Sequence, residues 1–316
     1  MKVGQGKGMS VAQMEGMAWQ LQFEIAGKDF SSFLDHARIL EPPPGLGDRK
    51  YEKWPSNEEL ARALVRERLL AVIKSRQVSF SWTTAAHAAW EARFKKDSIN
   101  LKISLGETEA EELLDKSRYV LTHLPKDWRV RLEPDNKGEI GVPAMGSTIR
   151  ALASTKKAGR SLVATTVTID EADFHEYIDE AFAALKPTID AGGRLIMGST
   201  VNPETVDSLF QRTYRGAPGN GWGKLFIPWT ARPGRDARWY AQVKSTIPET
   251  VKINPEVYMQ KNYPATEEEA LAPAEAQLVF DPIVLRLMSD QDTKEPIERV
   301  GAVSIFQRWT MGKRYV

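Results

Sequence analysis

The stretch SLVATTVTIDEAD, residues 161–173, decides the fold. From Ser161 to Ile169 it is a continuous apolar and β-branched run, the composition of a central parallel strand covered on both faces. Asp170 and Glu171 emerge at its tip. In open α/β sheets ligands gather at the carboxyl ends of strands. An aspartate there can hold Mg²⁺, directly or through water, and a glutamate beside it can orient an attacking water. The same pair could instead cap the helix that follows, where acids are favoured in the first turn. Asp173 is read as having only that capping role.

Working outward, strand and helix patterns alternate. LLAVIK (69–74) reads as a buried strand and KSRQVSFSW (74–82) as a polar turn opening the helix TTAAHAAWEARF, with Trp82, Ala85, Ala86, Ala89 and Trp90 on one face. INLKISL (99–105) is strand-like, and TEAEELLDKSRYVL opens on a capping box at Thr108 and Glu111. WRVRLEPDNKGEIGVPAMGSTIRALAS reads as strands joined by a turn at Pro134–Gly138. HEYIDEAFAALKPTI is helical, and RLIMGST (194–200) is another buried strand. This order predicts an α/β fold with a doubly wound parallel sheet flanked by helices.

The ends organise around that core. Residues 1–48 read as a helical extension and a Pro/Gly linker, EPPPGLGD; Ser56 with Glu59 then forms a capping box for the next helix. The core spans 49–210, a small lid subdomain 211–275, and residues 276–316 a linker followed by two strands around a turn at Thr310–Gly312. The chain has 316 residues, no cysteine and a net charge of +1, so disulfides and thiolate metal sites are excluded and the global charge gives no hint of nucleic acid. No apolar run is long enough for a membrane span.

Phosphoryl-transfer chemistry needs a phosphate cradle, a magnesium ligand and a water-orienting group on neighbouring strand ends. A standard phosphate loop is G-x-x-x-x-G-K-[ST]. Aligning Ser81 with its last position puts Phe80 at the lysine, Ser79 at the second glycine and Lys74 at the first. The loop therefore comprises Lys74, Ser75, Arg76, Gln77, Val78, Ser79, Phe80, Ser81 and Trp82, with Ser81 a second Mg²⁺ ligand. Arg76, with Lys74 as its rival, would replace the missing lysine charge as a catalytic cation. LIMGSTVNP places Gly198, Ser199 and Thr200 at another strand end, where a hydroxyl could sense the terminal phosphate or merely cap a helix.

These segments resemble the ATPase half of bacteriophage terminase large subunits, the motors that pump DNA into procapsids. The resemblance runs through KWP, LLAVIKSRQVSFSW, SLVATTVTIDEADFHEY, LIMGSTVNP, FQRTYRGA, FIPWTARPGRDARWY and YPATEEEALAPA. It implies a P-loop NTPase fold of the ASCE type, ATP as substrate and Mg²⁺ as cofactor. It makes Asp170 the magnesium residue, Glu171 the water residue and Gly198–Thr200 the coupling motif. Ser79 stands where the family has glycine, which crowds the phosphate path.

Such motors resemble rings in which a neighbour supplies an arginine; Arg160 is the first choice here and Arg150 the second. Tyr51 and Trp54 are candidates to stack on the base and Asn57 to read its edge, with core packing the other reading of Trp54. Residues 211–244 carry seven lysines and arginines against one acid, Asp236, interleaved with Trp222, Trp229 and Trp239. That stretch either grips DNA or a neighbouring subunit, or is a solvated face. The resemblance further implies double-stranded DNA, a portal protein and a small terminase subunit as partners, and the host cytoplasm as location. Because the family continues into a nuclease after a strand resembling GKRYV, the expectation is a fragment without nuclease activity. A helicase-like ATPase and a catalytically weak scaffold are the alternatives.

Overall fold

The computed structural model describes residues 10–41, 47–155, 163–202, 205, 207–248, 254–272, 296, 298–300 and 303–305. The chain divides into two compact units, Met1–Ala272 and Pro273–Val316.

The first unit opens with helices α1 (Val11–Lys28) and α2 (Phe30–Leu34), then an antiparallel pair, β1 (Arg38–Glu41) and β2 (Gly47–Lys50). The Pro/Gly segment that reads as a linker thus connects the arms of a hairpin. Helix α3 (Pro55–Arg66) leads into β3 (Leu69–Lys74), α4 (Phe80–Phe94), β4 (Ile99–Ser104) and α5 (Glu107–Thr122). Strands β5 (Glu139–Val142), β6 (Ser147–Ala153) and β7 (Thr166–Asp170) follow, then α6 (Ile178–Asp190) and β8 (Arg194–Ser199). After α7 (Leu209–Gly216) come β9 (Gly223–Ile227), α8 (Ala237–Ser245), α9 (Pro255–Asn262) and α10 (Glu267–Leu271).

Seven strands form one sheet in the order β5-β6-β4-β7-β8-β3-β9, parallel throughout except for β5 against β6. The acidic strand β7 lies beside β8, and β8 beside β3, so all three candidate segments end along one edge. The sheet also continues past residue 210. Strand β9, hidden in the Gly- and Trp-rich stretch, pairs with β3.

Alternation along β3 divides the interior. Leu70 and Val72 join a cluster with Trp90 of α4, Phe30 and Phe33 of α2 and Leu114 of α5. Ala71 and Ile73 join the opposite cluster with Ile178 and Leu185 of α6 and Phe210 of α7. The N-terminal helices are therefore part of the core.

Local signals lose to stronger ones at three places. Helix α3 starts at Pro55 behind Trp54, so Ser56 sits inside the first turn, where proline's fixed φ is already helical. Helix α5 starts behind Gly106, which displaces the capping box expected at Thr108. The 134–138 segment does reverse the chain, with Asn136 N–H donating to Glu139 O at 3.0 Å and a bridge from Asp135 to Ile140, but the β5–β6 reversal falls at Pro143–Gly146, where Gly146 has φ 65°. In the second unit β10 (Glu298–Val300) pairs antiparallel with β11 (Val303–Ile305). The turn expected at Thr310–Gly312 lies outside the described residues.

Candidate functional site

Strand β3 delivers Lys74 to the carboxyl edge of the sheet, and the chain turns through residues 75–79 before α4 begins. Two residues of that turn, Gln77 (φ 59°) and Ser79 (φ 62°), adopt the left-handed conformation that normally calls for glycine. Non-glycine residues persist there only where their surroundings over-determine them, and they cluster at functional sites. The surroundings are visible. Ser75 N–H donates to Ile227 O and Arg76 N–H to Asn262 O, each at 2.9 Å.

Four side chains from three elements converge beside this turn. Ser81 Oγ, in the first turn of α4, donates to Asp170 Oδ2 at 2.6 Å. Lys74 Nζ donates to Glu171 Oε1 at 3.0 Å and lies 3.6 Å from Asp170 Oδ1. Glu171 itself is left-handed (φ 53°), and its backbone N–H is held by Asp170 Oδ1 at 3.0 Å. Its Oε2 is buried with no protein partner. Burial opposes the charge on Lys74, but the flanking Asp170 and Glu171 carboxylates outweigh it and raise its pKa. Behind them, burial lowers the pKa of His175, whose Nε2 meets Asp170 O at 2.8 Å.

Lys74, and not Arg76, is therefore the cation directed at the acidic pair. Arg76 lines the same cavity, while its main chain is tied to Asn262 and Arg235. Phe80, at the position of the standard lysine, is 2% exposed and packs on Gly198 of β8, where an added Cβ would lie 2.1 Å from the Phe80 ring. Every position from Lys74 to Trp82 lines a cavity of about 850 Å³, which also takes in Glu41, Glu112, Lys116, Glu171 and Arg232. That volume falls in the range of small-molecule and cofactor sites.

The Gly198–Thr200 segment lies one layer behind. Ser199 Oγ accepts from Asp173 N–H at 3.1 Å. Asp173 does more than cap a helix. Its carboxylate accepts from Asn202 N–H at 2.6 Å, from Gln211 Nε2 at 2.9 Å and from the Ser208 hydroxyl. Burial raises its pKa against the pull of those donors. Nothing in the sequence pattern separated this network from an ordinary acidic turn.

Tyr51 and Trp54 are core residues, not cavity walls: Tyr51 is 6% exposed with its hydroxyl 2.5 Å from Thr83 Oγ1, and Trp54 is 7% exposed. Asn57 is buried as well and donates to Glu52 O. The aromatic residues that line the cavity are Phe80 and Trp82. Arg150 is paired with Glu139 at 3.0 Å, and Arg160 lies outside the described residues.

Two cations of the basic stretch turn inward, while Arg212, Arg215 and Arg238 are exposed. Arg235 donates to Arg76 O at 2.8 Å and Gln77 Oε1 at 3.1 Å, and Arg232 donates to Gln77 O at 2.9 Å. Lys224 pairs with Glu267 and Arg215 with Asp207, while Trp222 and Trp229 are buried.

No family model matches the sequence, and no curated protein matches it. In three dimensions the ATPase domain of the large terminase of Thermus phage P74-26 is similar, with TM-score 0.53 and 16% identity over 67% of this chain and 93% of that one. The large terminase of bacteriophage HK97 is similar with TM-score 0.51 and 15% identity over 66% of this chain, which spans only 45% of that protein. The chain has the fold of phage large terminase ATPase domains, a P-loop NTPase fold with a mostly parallel sheet. At these identities the likeness establishes the fold, and the chemistry rests on the site.

Proposed function

We propose that this chain is the ATPase motor domain of a terminase large subunit, hydrolysing ATP to move double-stranded DNA into a procapsid. The observation that carries this reading is the contact set of Ser81, Asp170, Lys74 and Glu171 beside a loop with two left-handed residues.

The donor set fits Mg²⁺. A hydroxyl and a carboxylate oxygen already 2.6 Å apart, Ser81 Oγ and Asp170 Oδ2, are the two hard oxygen ligands a phosphate-bound magnesium takes from protein. When bound, the ion offsets charge on the β- and γ-phosphate oxygens. The α4 amino end supplies backbone N–H donors to phosphate, and Ser79 at φ 62° turns that end toward the cavity. Lys74 holds Glu171 in place and, when a triphosphate enters, is positioned to contact its phosphates. Glu171, freed from Lys74, orients the attacking water and takes up its proton. Asp173 links the acidic strand to Ser199 and to α7 through Gln211, a route by which a change at the phosphates reaches the neighbouring elements.

The assembled machine in this reading is a homo-oligomeric ring in the host cytoplasm. It docks on a portal protein and a small terminase subunit, with a neighbour's arginine, Arg160 first, completing the site. No helix of the described residues is long and apolar enough to cross a membrane. Buried Phe80 at the standard lysine position favours a second reading, a catalytically weak scaffold of the same fold. Phosphate release from ATP, measured with Mg²⁺ and DNA at high protein concentration for wild type and Glu171→Ala, separates the two. Turnover that Glu171→Ala abolishes supports the motor; absence of turnover in the wild type supports the scaffold.

A further inference from the structure

Arg232 occupies a position that a solvated or DNA-gripping cation would not. It follows the short helical turn Trp229–Ala231, which directs its side chain back over the phosphate loop. One nitrogen, Nη1, donates to Gln77 O at 2.9 Å, and the other, Nη2, lies 3.3 and 3.4 Å from the two carboxylate oxygens of Glu41. Both Arg232 and Glu41 line the cavity. Arg235 beside it is fully engaged, with the loop on one side and the Trp239 and Tyr263 rings at 4.5 and 5.4 Å on the other.

Arg232 also lies over a ring, Trp54 at 5.7 Å, but its polar contacts are divided differently. Its Gln77 bond fixes the guanidinium on the loop, whereas its contact with Glu41 joins two side chains across the cavity. A carboxylate and a phosphate present the same oxygen geometry to a guanidinium fork. Glu41 does not depend on Arg232 alone, since Arg49 Nη1 lies 3.6 Å from its Oε2. An incoming phosphate can therefore replace Glu41 at Nη2 without stranding a buried carboxylate or ordering a new side chain.

We propose that Arg232 is a phosphate-contacting arginine supplied by the chain's own β9–α8 segment, and that Glu41 is the intramolecular competitor holding it before nucleotide arrives. This rests on the nucleotide-site reading above. It adds that the terminal phosphate of a triphosphate displaces a carboxylate of the N-terminal hairpin.

The test is titration of the whole chain with a fluorescent ADP and a fluorescent, slowly hydrolysed ATP analogue. Losing one charge-assisted contact should weaken the triphosphate about tenfold or more in Arg232→Ala, with ADP changed less than about threefold. Glu41→Gln should tighten the triphosphate by about threefold or more. Equal weakening of both nucleotides in Arg232→Ala, or no weakening, overturns the assignment by reducing Arg232 to a brace on Gln77. If Arg232→Ala does not fold, Glu41→Gln decides alone: unchanged or weaker triphosphate binding overturns it. A wild-type chain that binds neither nucleotide sinks the nucleotide site itself. A wild type that binds both, with unaltered discrimination in the variants, sinks only the role of Arg232.

Discussion

Lys74 Nζ lies 3.0 Å from Glu171 Oε1, joining the end of β3 to the residue after β7 across the intervening strand β8. Both Lys74 and Asp170 are less than a tenth exposed, so the cation answers two carboxylates in a region that water reaches poorly. Removing one member of such a set leaves uncompensated charge, at a cost of about 3 kcal/mol. Lys74→Met is therefore expected to lower unfolding free energy by about that amount in urea titrations. Adding Glu171→Gln should recover at least about 1 kcal/mol of it, since two contacting residues are not additive. A double variant whose loss equals the sum of the singles would contradict the coupling.

Gly198 gives a second test. Its missing Cβ makes room for the Phe80 ring, which an added carbon would approach to 2.1 Å. Phe80 is itself fixed at the start of α4 with 2% exposure, so it cannot swing away. Gly198→Ala should cost about 1–3 kcal/mol by overpacking. Phe80→Leu in the same chain should return part of it. A Gly198→Ala variant as stable as wild type by thermal denaturation would show that Phe80 yields.

Strands β3, β4, β7 and β8 are legible in the sequence because burial on both faces demands apolar runs, and LLAVIK and RLIMGST meet that demand. The acidic pair is legible because it sits where such a strand must end. What the runs conceal is their polar side. Thr166, Thr168 and Asp170 alternate with Val167 and Ile169, and the latter two join the cluster formed with α6 and α7. Lys102 on β4 bonds both Thr168 and the Thr84 carbonyl of α4, so the α4 face carries buried polar groups. Likewise, Arg76 and Lys74 are indistinguishable as cations in a loop. Only the strand's last residue is carried to the carboxylates, and that follows from tertiary placement. Arg232 was visible only as one charge in a basic stretch, because its partners Gln77 and Glu41 lie far away in the chain.

His87 sets an acid limit. It is 1% exposed on α4, with Phe30 and Trp90 rings at 5.0 and 5.7 Å, and burial lowers its pKa to about 4. Unfolded, it titrates near about 6.5. As pH falls through that window the unfolded chain takes up a proton that the folded chain refuses, so stability falls. The loss from this group should approach about 3 kcal/mol by pH 4. In His87→Leu the drop between about pH 6.5 and 4 should be shallower. An unchanged slope in urea unfolding would assign the acid limb to other groups.

Lys102 acts at the other end of the scale. Its ammonium is 2% exposed, donating to Thr84 O at 2.7 Å and Thr168 Oγ1 at 3.2 Å. Burial lowers its pKa to about 7, against the opposing pull of Glu91 and Asp170. In the unfolded chain a lysine keeps its proton to about 10.4. Between those values the unfolded state binds a proton that the folded state has released, so this group makes stability rise with pH. Below about pH 7 both states are charged and the folded one bears the desolvation cost. Lys102→Met keeps the length of the side chain and removes the charge. It should stabilise the protein by about 1–3 kcal/mol near pH 7, as apolar replacement of buried ions often does. Its advantage should shrink toward about pH 9 as wild-type Lys102 becomes neutral when folded. Urea unfolding of both proteins at the two pH values measures this. A Met variant that is less stable at neutral pH would mean that the contacts to Thr84 and Thr168 outweigh desolvation, making Lys102 a tie between α4 and the acidic strand.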